Sequence, residues 1–113
     1  MPISNCYLFK NSLEFIPISE ISTVPSNVRG IYVLFLAQND SSAMDVVYIG
    51  MARGEKSGAK ARLKSHKNSK SKLWTHFSVY EVWDNISRDQ VEELEGLFRQ
   101  IYRLDSKANK LNI

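Results

Sequence analysis

Five side chains stand out in this sequence by type and spacing as a set that could handle phosphates and protons. Tyr32 and Tyr48 close and open two mirrored tripeptides, Gly30-Ile31-Tyr32 and Tyr48-Ile49-Gly50, at the ends of one apolar stretch. Arg62 and His66 are four residues apart, which in a helix puts them on one face. An Arg offers a planar fork to a phosphate, and a His holds or passes a proton near neutral pH. Glu95 is the fifth, a carboxylate at the edge of an apolar stripe. Either it pairs with a neighbouring Arg or Lys, or it holds a cation. Mg²⁺ is commonly held by one or two carboxylates, with phosphate and water as its other ligands, so a single glutamate can be a complete protein contribution. Singly, each of these residues has a plain reading: the tyrosines as core aromatics, Arg62 and His66 as surface groups of a basic helix.

The elements that must position them follow from period and composition. Gly30 to Ala37, rich in Ile, Val, Tyr, Leu and Phe, reads as a buried strand, and Asp45 to Gly50 returns as a second. The polar run between them makes an antiparallel hairpin the simplest connection. After the loop "RGEKSG", Ala59 to about Asn68 uses good helix formers without Pro or Gly. "WTHFSVYEVW" alternates as a third strand, though its pattern does not say which face turns inward. Ser87 and Gln90 form a capping box, and apolar residues at 91, 94, 97, 98, 101 and 102 predict one buried helix stripe with Glu95 at its rim. Residues 1–29 hold short apolar bursts broken by Pro17, a short hairpin or edge strands.

At 113 residues, with no repeat and no long linker, the chain reads as one domain: an N-terminal extension over 1–29 and a core over 30–112. The expected class is α+β, a small three-stranded antiparallel sheet flanked by helices. No apolar run reaches the length of a membrane span, and the N-terminus lacks the layout of a signal peptide. A lone cysteine, Cys6, excludes an internal disulfide and fits a reducing compartment, so the expected location is cytoplasmic.

Charge is unevenly spread. From Arg53 to Lys72 there are eight bases (Arg53, Lys56, Lys60, Arg62, Lys64, Lys67, Lys70 and Lys72) against Glu55 alone. That window carries +7 in a chain of net +3, which leaves −4 elsewhere. Such a patch suits a polyanion, and as a bare charge run it equally suits a solvated helix face.

Taken in order, these residues resemble the GIY-YIG nuclease family. The two named motifs stand at 30–32 and 48–50, followed by "ARLKSH" with its arginine and histidine, then "ELEGLFRQIYR" and a terminal "LN". The resemblance runs from about Gly30 to Asn112. It implies a phosphodiester hydrolase dependent on Mg²⁺ or Mn²⁺, acting on nucleic acid, DNA rather than RNA, and leaving 5′-phosphate and 3′-hydroxyl ends. The site it implies is Tyr32, Tyr48, Arg62, His66, Glu95 and Asn112, with Glu95 as metal ligand and Asn109 as competitor to Asn112. A phenol, Tyr32 by preference, would take the proton of the attacking water, with Tyr48 or His66 positioning the water or relaying that proton. A homodimer or a separate protein would supply specificity. The competing expectation is a nucleic-acid-binding module that uses the same basic helix and does not cut.

Overall fold

The computed structural model describes residues 9–37, 44–53, 58–70 and 73–102. Four strands form one antiparallel sheet: β1 (Asn11–Pro17), β2 (Arg29–Ala37), β3 (Met44–Arg53) and β4 (His76–Glu81). They lie in the order β1-β4-β2-β3, so β2 is central and β3 is an edge. A 3-10 segment (Ile18–Thr23) links β1 to β2. Helix α1 (Ala59–Lys70) follows β3, and α2 (Arg88–Tyr102) follows β4. The fold is α+β, as expected, but the sheet has four strands rather than three. The extra strand comes from the N-terminal segment, which pairs with β4.

That strand is hard to read because its alternation is broken. The β1–β4 register shifts between Leu13 and Ile16, and Phe15 takes a left-handed φ of 55° and turns its side chain outward. Its amide is held by the hydroxyl of the buried Ser78 (N to Oγ 3.0 Å). Such a bulge puts Leu13 and Ile16, three residues apart, into the same packed cluster.

Alternation along β2 and β3 builds two cores, one on each side of the sheet. Under α1 lie Tyr32, Leu34, Val47 and Ala52, with Phe77 and Val79 of β4 and Leu63 of the helix. Under α2 lie Ile31, Val33, Val46 and Ile49, with Val82 and Val91. A sheet covered on both sides buries both faces of β4, which is why its pattern gave no inward side. The capping box forms as read: the Ser87 amide donates to Gln90 Oε1 (2.8 Å) and the Gln90 amide to Ser87 Oγ (3.2 Å). The buried line of α2 is Val91, Leu94 and Phe98. Leu97, expected in that stripe, is 53% exposed, because it falls about 90° from that line.

Gly30 lets the central strand close on β4. A Cβ there would collide with the Tyr80 carbonyl and stand 3.1 Å from the Glu81 Cα. Helix α1 is pinned to the start of β2 by the Ala59 amide, which donates to the Val28 carbonyl (2.9 Å). Among the described residues no helix is long and apolar enough to cross a membrane.

Candidate active site

The hairpin register places Tyr32 opposite Gly50 and Leu34 opposite Tyr48. Tyr32, Tyr48 and Gly50 therefore share the α1 side of the sheet, while Ile31 and Ile49 between them fill the other core. Gly50 is the floor for the Tyr32 ring. A Cβ at that position would overlap the Tyr32 Cζ and hydroxyl and lie 2.7 Å from Tyr48 Cε2. The two phenol rings stack with centroids 5.9 Å apart and planes at 30°.

His66 descends onto this pair from α1. Its ring centroid is 4.7 Å from that of Tyr48 and 5.6 Å from that of Tyr32. Its Nε2 is 2.9 Å from the Tyr32 hydroxyl, one donating to the other according to the imidazole tautomer. One turn earlier, the exposed Arg62 stands beside both phenol oxygens, and that contact, with Tyr32 first, raises its already high pKa. Tyr32 is 0% exposed. Burial pushes its phenol well above the ordinary range, Tyr48 adds to the rise, and Arg62 pulls part of it back. Tyr32 is thus a neutral, buried hydroxyl, whereas Tyr48 and His66 are half-buried.

Glu95 stands on the other helix, which covers the opposite side of the sheet from these four groups. Its carboxylate is forked by Arg99, with Nε 3.4 Å from Oε1 and Nη2 donating to Oε2 at 3.5 Å. The same Nη2 donates to the Ile49 carbonyl (3.0 Å), between Tyr48 and Gly50. Arg99 thus ties Glu95 to the edge strand that carries the second motif. Sequence reasoning named a pairing of this kind for Glu95 without naming Arg99; the i, i+4 spacing was the available signal.

Glu95 is also the carboxylate a cation would use. Its side chain is 23% exposed, and among the described residues no three or more His, Cys, Asp or Glu gather into a cluster. One reachable carboxylate fits Mg²⁺ with phosphate and water as further ligands, and the ion would compete with the Arg99 fork for it.

Of the other expected residues, Lys64 and Lys67 are exposed on α1, and Lys60 donates to the Ser22 carbonyl (3.5 Å). Arg53 ends β3 and Lys70 ends α1; their side chains lie outside the described set. Lys56, Lys72, Asn109 and Asn112 lie outside the described residues altogether. Two phenols, an imidazole and a guanidinium from β2, β3 and α1 can hold a phosphate oxygen beside a group that accepts a proton. Comparison with protein-family models, with curated proteins and with solved structures finds no match, so the resemblance to GIY-YIG nucleases stands on the sequence elements alone.

Proposed function

We propose that the chain is a metal-dependent phosphodiester hydrolase of the GIY-YIG type acting on nucleic acid, DNA in preference to RNA. The observation that carries the reading is the gathering of Tyr32, Tyr48, His66 and Arg62 on one side of the sheet. Apolar packing alone does not call for an exposed guanidinium beside two phenols.

In this reading Arg62 grips a non-bridging phosphate oxygen as charge builds on it. His66 takes the proton of the attacking water, because no solvent reaches Tyr32. Tyr32 instead fixes the imidazole by accepting from its Nε2–H, which leaves Nδ1 with the lone pair. Tyr48, stacked on Tyr32 and tilted against the imidazole, lines the water's approach. Glu95, tied to the edge strand through Arg99, would hold Mg²⁺ or Mn²⁺, and the ion would supply charge neutralisation at the phosphate.

Incubation of the protein with duplex, branched and single-stranded DNA and with RNA, in Mg²⁺ or Mn²⁺, tests this. Cleavage is expected, leaving 5′-phosphate ends, and Arg62→Ala is expected to lower it by about 10³-fold. Arg62 is exposed, so the variant folds, and far-UV circular dichroism checks that. Glu95→Ala should abolish cutting as well.

A second reading has its own support: both Glu95 oxygens face Arg99, as in a purely structural ion pair. It describes a module that binds nucleic acid and does not cut. Tight binding without cleavage of any of these substrates would establish it over the first.

A further inference from the structure

The basic run is not one patch. At about 100° per residue the buried line of α1 passes through Ala59 and Leu63, and Arg62 with His66 lies about 60° to one side. Lys60, Lys64 and Lys67 form a second row, about 80° to the other side. Contacts agree with this division. His66 reaches Tyr32 and Tyr48 on the strand side, and Lys60 reaches Ser22 in the 3-10 segment on the opposite side. Between the rows, facing outward, stands a crest of Ala61, Ser65 and Asn68, small, uncharged and exposed.

We infer that α1 lies in the major groove of a B-form DNA duplex, with Arg62 on the strand to be cut and the lysine row on the other strand. The inference rests on the nucleic-acid reading above. Two cationic rows are complementary to two phosphate backbones, and a low neutral crest lets the helix approach the base edges. The dimensions agree: a helix with its side chains is about 10–12 Å across, and the major groove of B-DNA is about 12 Å wide. An A-form RNA duplex has a major groove too deep and narrow for a helix, and a single strand offers one backbone for two rows. A helix of 12 residues spans about 18 Å, enough to follow both backbones over several base pairs.

Binding by fluorescence anisotropy, with the whole chain in EDTA so that cutting plays no part, tests the inference. The probes are a 20-base-pair DNA duplex, each of its strands alone, and the RNA duplex of the same sequence. The DNA duplex is expected to bind tightest. The double variant Lys64→Gln, Lys67→Gln should reduce the slope of log K against log salt by about 2 on the duplex, the value for two lost phosphate contacts. Ala61→Trp, on the exposed crest, should weaken duplex binding at least tenfold while leaving single-strand binding unchanged. Uncharged methylphosphonates in one strand should lower the affinity of the native chain but not of the lysine variant. Equal affinity for duplex and single strand, or an effect of Ala61→Trp that is equal on both, overturns the groove placement. Duplex binding without cleavage in Mg²⁺ leaves that placement standing and sinks the hydrolase reading alone; no binding to any probe sinks both.

Discussion

The side of the sheet that faces α1 and the side that faces α2 are built from alternate residues of the same strands, and they serve different ends. Toward α2 the motifs present Ile31 and Ile49, both 0% exposed in an aliphatic core. Toward α1 they present two phenols and a glycine, met by an imidazole and a guanidinium. The tripeptides Gly-Ile-Tyr and Tyr-Ile-Gly therefore divide by period: the isoleucines anchor the strands, Tyr32, Tyr48 and Gly50 form the phenol pair and its floor, and Gly30 lets β2 close on β4. The Ile49 carbonyl, between Tyr48 and Gly50 on the edge strand, takes the Arg99 hydrogen bond that holds Glu95.

If this division is right, the α1 side has no room for added bulk. Gly50→Ala sets a methyl against the Tyr32 ring, which is fully buried and cannot swing away. The expected loss in unfolding free energy is about 3 kcal/mol, the upper end for overpacking, measured by denaturant titration. A loss under about 0.5 kcal/mol would mean the phenols are loosely held, and the contrast between the two sides would disappear.

Much of this was legible beforehand. The strands of the hairpin, both helices and the Ser87–Gln90 box follow from period and local hydrogen bonding, which sequence carries directly. Strand β1 was legible only as one of two alternatives, an edge strand or a hairpin, because the bulge at Phe15 replaces alternation with a spacing of three. The burial of Tyr32 was not legible: the motif says that a phenol is present, while its exposure depends on α1 and the neighbouring strands covering it. The basic run was visible as charge density. Its partition into two rows required knowing which line of α1 is buried, a tertiary fact.

A smaller effect concerns the buried hydroxyl. Because burial raises the Tyr32 phenol, the folded chain holds that proton more tightly than the unfolded chain does. Below about pH 10 both states keep it and the contribution is whole. Above that, the unfolded chain ionises first, and stability falls by about 1.4 kcal/mol per pH unit until the folded phenol ionises too. Tyr32→Phe removes this slope while losing the hydrogen bond to His66. The variant should thus be the less stable protein at pH 8 and should close the gap on the native chain as the pH rises past 10. Parallel stability curves for the two proteins would show that Tyr32 is wet.

The smallest effect belongs to the outer side of α2 and has the opposite sign. Gly96 sits in mid-helix, exposed, and among the described residues no atom lies within 4 Å of where its Cβ would be. Nothing in its surroundings requires a glycine, while the helix gives up backbone entropy to keep one there. Gly96→Ala should raise unfolding free energy by about 0.5–1 kcal/mol, read from the denaturant midpoint at unchanged slope. The same methyl is thus expected to cost stability at Gly50 and to add it at Gly96, since one glycine supports an aromatic ring and the other faces open space. A loss at Gly96 would mean that this side of α2 is covered in solution, and the α1 side could no longer be called the more constrained of the two.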